Sequence, residues 1–241
     1  MRSWFYSILT ISLLLVSLPL SVGAVDVGTP PGSTPGGPTL PPSVVPASLY
    51  SVTLSQSGAI GGTPVTGMVK LTGYAPSGRS VQLSSISNPA VASVPASVQV
   101  SGMNPQVSFQ VTTLPVAAQT YVTISASYAG VTKAATLMVL PASLSSVTFP
   151  PIPVMSGTSA HGRVSLTGPA PSGGIVVNLS GGIPGIAAVP ASVTAAAGAT
   201  TADFTVTTNR VQTNSSVAVR AFYAGVVKTA SFTLVGVPSS P

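Results

Sequence analysis

Very few residues in this chain could do acid–base or metal chemistry. Asp26 and Asp203 are the only carboxylates, His161 is the only histidine, and cysteine is absent from all 241 residues. General acid–base work and glycoside hydrolysis need paired titratable groups on one scaffold. Here Asp26 lies in a proline-rich stretch, far along the chain from Asp203. A nucleophilic triad could be built only from His161, Asp203 and a serine, and no G-x-S-x-G elbow presents one. Calcium asks for several oxygen ligands, carboxylates among them, which two scattered aspartates do not supply. Without cysteine there is no thiol nucleophile, zinc thiolate or iron–sulfur cluster. The sequence argues against an enzyme: it assigns no catalytic residue, cofactor or metal ligand, and singles out no ligand-binding residue.

The elements that would position these residues are written twice. G-M-V-K-L-T-G at 67–73 returns as G-R-V-S-L-T-G at 162–168, 95 residues on. At the same spacing A-P-S-G (75–78), V-P-A-S-V (94–98), F-x-V-T-T (109–113) and Y-A-G-V-x-K (128–133) all recur. Fixed spacing over so many anchors marks duplication of one structural unit. A unit of this length can enclose its own core without disulfides. Within each copy apolar residues alternate with Ser, Thr and Gly. Val65/Val69/Leu71, Val81/Leu83, Val107/Phe109/Val111, Val122/Ile124/Ala126/Tyr128 and Ala135/Leu137/Val139 form the first set. Val164/Leu166, Val177/Leu179, Phe204/Val206, Val217/Val219/Ala221/Tyr223 and Ala230/Phe232/Leu234 form the second. Period two means strands with one buried face. Ala129-Gly130 and Ala224-Gly225 sit where tight hairpins need tolerance of positive φ. About seven short antiparallel strands per unit predict a two-sheet Greek-key sandwich, twice over.

Composition fixes the setting. Only 4% of residues are charged and 45% are hydrophobic, yet the one contiguous apolar run is Trp4 to Leu20. Arg2 before that run and Val22 and Ala24 after it predict a signal peptide, 1–24, cleaved after Ala24, with an uncleaved anchor as the rival. No cysteine follows the run to carry a lipid. Residues 25–47, rich in Pro, Gly, Ser and Thr, predict an extended, disordered linker. The units then span 48–141 and 142–237, followed by a tail at 238–241 with no recognisable sorting motif. Export implies an extracellular or cell-surface location and no membrane-spanning segment in the mature chain.

S-N-P-A-V-A-S-V-P-A-S-V (87–98), F-Q-V-T-T (109–113) and Y-A-G-V-T-K-A-A-T-L (128–137) resemble the tandem immunoglobulin-like repeats of bacterial secreted and surface proteins. The second copy departs at Gly185-Ile186-Ala187-Ala188 and Ala195-Ala196-Ala197-Gly198. The resemblance implies modular extracellular sandwiches acting as spacers, stalks or adhesive surfaces, and implies no catalytic residues. In such a sheet the strand holding Asp203 pairs with the one holding Arg163, which predicts a cross-strand surface ion pair. Tyr121 is placed to be the corner tyrosine, its hydroxyl bonding a turn.

The balance of charge needs its own reading. Past residue 24, Lys70, Arg79, Lys133, Arg163, Arg210, Arg220 and Lys228 face two aspartates. Nucleic-acid binders cluster such charges and interleave aromatics; these are dispersed over both units, which argues against a nucleic-acid partner. The inward positions of Phe109, Phe204, Phe232, Tyr128 and Tyr223 predict core rather than a sugar-stacking platform. The expected function is a structural or adhesive element. The alternative is a binding module for a glycan or another anionic envelope polymer, so the partner is an extracellular protein or a glycan. Strands with few charged gatekeepers could pair edge to edge; against that, the abundance of Pro and Gly favours a monomer.

Overall fold

The computed structural model describes residues 46–100 and 104–238. The expected signal peptide, nearly all of the linker and most of the tail lie outside the described residues. Every regular element described is a strand. The first copy contains β1 (Leu49–Leu54), β2 (Gly58–Ile60), β3 (Val65–Leu71), β4 (Arg79–Ser85), β5 (Ala92–Ser93), β6 (Ser97–Val100), β7 (Gln106–Thr113), β8 (Thr120–Tyr128) and β9 (Val131–Leu140). The second contains β10 (Leu144–Thr148), β11 (Val154–Met155), β12 (Ser159–Leu166), β13 (Ile175–Gly181), β14 (Ala187–Ala188), β15 (Ser192–Ala195), β16 (Thr201–Thr208), β17 (Ser215–Tyr223) and β18 (Val226–Val235).

The sheets run β1-β3-β7-β5 and β2-β9-β8-β4-β6 in the first copy, and β10-β12-β16-β14 and β11-β18-β17-β13-β15 in the second. Successive strands leave one sheet and return to it, which is the connectivity of an immunoglobulin sandwich. Each copy is therefore an immunoglobulin-like sandwich. The alternating residues read from the sequence face inward: β3 and β16 alternate buried and exposed along their whole length, and β12 does so as far as Val164. Duplication extends to a defect, since β1 and β10 both carry a register shift after their first residue, Leu49 and Leu144.

One expectation fails in each copy. β2 pairs with β9 in parallel, Gly58 opposite Met138, and β11 pairs with β18 in parallel, Val154 opposite Leu234. The chain leaves the first sheet after Leu54 or Thr148 without reversing, and so meets the last strand running the same way. Strands are also more numerous than expected, because the two-residue pairings β5, β11 and β14 are too short to show a period.

Each sandwich has its own core. Ala47, Leu49, Val69, Leu71, Val81, Val111, Val122, Ile124, Leu137 and Val139 belong to the first. Ala142, Leu144, Val164, Ile175, Val177, Val206, Val217, Val219, Phe232 and Leu234 belong to the second. Ala47 is thus core, one residue before the expected domain start. P-A-S-L at 46–49 and 141–144 repeats the entry to both copies. The cores exchange volume. Phe149 and Phe232 replace Leu54 and Leu137, while Ala160 and Ala202 replace Val65 and Val107. In the second core Phe149 meets Phe204 edge-on at 5.7 Å and Phe232 at 4.7 Å. Adding two rings and removing methyls elsewhere keeps the packing filled, as cores require.

The motifs that recur are consumed by the fold. Gly67 and Gly162 lie opposite Phe109 and Phe204, whose rings cover them: a Cβ would lie 2.2 Å and 2.3 Å from the ring Cζ atoms. Thr72 and Thr167, after the conserved leucines of the motif, accept hydrogen bonds from the backbone N–H of Ser48 and Ser143, both at 2.9 Å. The buried Thr113 hydroxyl, last in F-x-V-T-T, donates to the Thr63 carbonyl at 2.7 Å and accepts from the Gly62 N–H at 3.1 Å. Its counterpart Thr208 donates to the Thr158 carbonyl. The Ala-Gly turns join strands through two residues, and both residues have positive φ: 49° and 77° in the first, 46° and 81° in the second.

Candidate functional site

The recurring motif residues described above serve folding, so a site is to be sought where the copies differ. The largest chemical difference lies on β12 and β16. Thr66, Met68 and Ser108 of the first sandwich become His161, Arg163 and Asp203 in the second. Alternation on β12 buries Ala160, Gly162 and Val164 and turns His161 and Arg163 to the outer face; Asp203 does the same on β16. Pairing puts Arg163 opposite Asp203 and His161 opposite Thr205.

The expected ion pair is present and bidentate. Arg163 Nε donates to Asp203 Oδ1 at 2.6 Å, and Nη2 donates to Oδ2 at 3.0 Å. Both side chains remain open to water, 58% and 64% exposed, so the pair contributes little to stability. The hydrogen bonds from Arg163 hold the Asp203 carboxyl below its ordinary range, with charge attraction a lesser cause; the same bonds raise the Arg163 pKa. The His161 ring meets the Thr205 hydroxyl at 3.4 Å.

A cleft of about 500 Å³ lies against these residues, lined by Thr148, Phe149, Pro150, His161, Gly162, Arg163 and Asp203. Its origin is visible in the duplicate. In the first sandwich β1 follows β3 as far as Leu54 opposite Gly67, and the Ser55 N–H then donates to the Thr66 carbonyl at 2.8 Å. In the second sandwich the pairing ends at Thr148 opposite Arg163. Pro150 stands where Ser55 stood and has no N–H to offer His161. The edge strand peels away early and leaves a gap.

Other expectations fare differently. Tyr121 is not a corner tyrosine. Val122 and Ile124 point inward on β8, which turns Tyr121 outward, where its hydroxyl accepts a hydrogen bond from Gln119 Nε2 at 2.8 Å. Phe109, Phe204 and Phe232 are buried as expected, whereas Tyr128 and Tyr223 are only half-buried. Lys70 lies over the exposed Tyr50 ring at 5.4 Å. No group of three or more His, Asp or Glu side chains converges among the described residues. Sequence reasoning missed the cleft, although P-P-I-P at 150–153 set against S-Q-S-G at 55–58 was its signal.

No protein-family model matches this chain, and no match is found among curated proteins. Solved structures do resemble it at low identity. Intimin domains D0-D1 are similar at 13% identity over 78% of this chain and 99% of that one, with a TM-score of 0.33. Titin domains A168-A170 are similar at 12% identity over 80% and 66%, with a TM-score of 0.46. The S-layer protein rSbsC is similar at 18% identity over 73% of this chain but 23% of its own length, with a TM-score of 0.31. The immunoglobulin-like assignment rests on the strand order itself.

Proposed function

We propose that this chain is an exported, non-enzymatic architectural and adhesive element, two immunoglobulin-like sandwiches held in fixed succession. One observation carries this reading: the short connection between the sandwiches and the loop contacts beside it. They belong to one compact unit and only Pro141, Ala142 and Ser143 separate β9 from β10. At their contact a Cβ on Gly62 would lie 2.3 Å from Pro169 Cγ, and one on Gly168 would lie 2.5 Å from Ile60 Cγ2. Relative motion is the default for domains that share a small interface; the three-residue connection and these loop contacts narrow it. Arg2 with the apolar run at 4–20 supports export, and the scarcity of titratable groups supports a role without turnover. Among the described residues no helix is long and apolar enough to cross a membrane.

The test is to express the full chain in an export-competent host, sequence the N-terminus of the product and screen it for hydrolase turnover. A product beginning at Val25, outside the cytoplasm and without turnover, is the expected result. Retention in the cytoplasm with Met1 in place, or measurable turnover, would overturn the proposal.

A further inference from the structure

We infer that the cleft beside β12 is a binding site for a sugar unit of a neutral polysaccharide, an inference that rests on the adhesive part of the function proposed above. The duplicate supplies an internal control. The first sandwich folds with Thr66, Met68 and Ser108 where the second has His161, Arg163 and Asp203, and with Ser55 in place of Pro150. The fold therefore does not require the charged residues or the proline. Yet the chain's one histidine and one of its two carboxylates both stand at the gap that the proline opens.

The chemistry of the lining selects the ligand class. Asp203 accepts hydrogen bonds, Arg163 donates them, and the His161 ring and Thr148 hydroxyl can do either. The His161 carbonyl, which Pro150 cannot satisfy, adds an acceptor at the edge. Arg163 and Asp203 neutralise one another at 2.6 Å, so the cleft lacks the net positive charge that a polyanion would seek and the net negative charge that a cation would seek. The half-buried Phe149 and the exposed Pro150 add apolar surface to the lining. A cleft lined by both hydrogen-bonding groups and apolar surface suits a ring with hydroxyls at its rim and C–H groups on its face. Bidentate pairing also fixes the Arg163 fork before a ligand arrives, which reduces the ordering cost of binding.

The decisive experiment titrates the mature full chain with neutral glucose and N-acetylglucosamine oligosaccharides, and with oligogalacturonate and heparin fragments for contrast. His161 gives the only imidazole signals in the spectrum, so its ring resonances report on the cleft without assignment. At least one neutral oligosaccharide is expected to shift them saturably and equally at low and high salt. Pro150→Ser, which lets the edge strand pair as in the first sandwich, keeps this reporter and should weaken binding about tenfold or more. The triple variant His161→Thr, Arg163→Met, Asp203→Ser carries residues the first sandwich already folds with, and should abolish binding in calorimetric titration. Three results would each overturn the site: no response to any neutral sugar, a response confined to the anionic fragments and lost in salt, or full affinity in both variants. None of them would move the N-terminus or location of the product, so the architectural reading stands or falls separately.

Discussion

The buried Thr113 ties a half-buried corner together with one hydroxyl, donating to Thr63 and accepting from Gly62. Valine has the same shape and neither bond, so Thr113→Val strands a backbone N–H and a carbonyl beside the core. Chemical denaturation should show the first sandwich weakened by about 2 kcal/mol. Asp203 is a different case, because its partner is exposed. Its folded pKa lies below the ordinary 3.8, so its contribution is complete above that value and is lost as pH falls through the lower folded value. Calorimetry should find Asp203→Asn melting at most a few degrees below the natural chain at pH 7, with the two converging once pH has fallen through the lowered Asp203 value. A collapse of folding at neutral pH would mean that Asp203 anchors the sheet.

At the scale of elements, the hairpin from β8 to β9 is the clearest case of a suboptimal residue kept twice. Ala129 and Ala224 hold φ near 50°, where an alanine Cβ crowds its own carbonyl. Asparagine tolerates that conformation, so Ala129→Asn should raise stability by about 1 kcal/mol, read as a higher melting temperature. The turn itself was legible because a glycine between two alternating runs has few other uses. Strands such as β3, β8 and β16 were legible for a related reason: with one face buried, a slip of one residue would turn every valine to water. The parallel pairs were not legible. Gly58–Ile60 is too short to show a period, and its partner is set by where the chain crosses between sheets. The Arg163–Asp203 pair could be read because strand order fixed which two positions face each other. The cleft beside it could not, since it arises from a hydrogen bond that Pro150 fails to make, and only comparison of the two copies exposes that loss.

For the whole molecule, duplication has produced two equivalent glycines in unequal surroundings. Gly168 packs against Ile60 at the junction, whereas a Cβ on Gly73, its counterpart, would meet nothing within 4 Å. Gly168→Val should therefore loosen the junction while each sandwich keeps its core, and Gly73→Val should do neither. Small-angle scattering would register the first change as a broader spread of intramolecular distances and the second as none; identical curves would show that the junction does not restrain the modules.

The side-by-side, same-direction pairing of β2 with β9 and of β11 with β18 has a mechanical consequence. Each links the segment just after the entering strand to the departing strand of its sandwich. Tension applied between the two ends of a sandwich loads the linking hydrogen bonds in shear, all together, instead of unzipping them singly. Such a chain would yield in abrupt steps, one module at a time, and would hold its length until then.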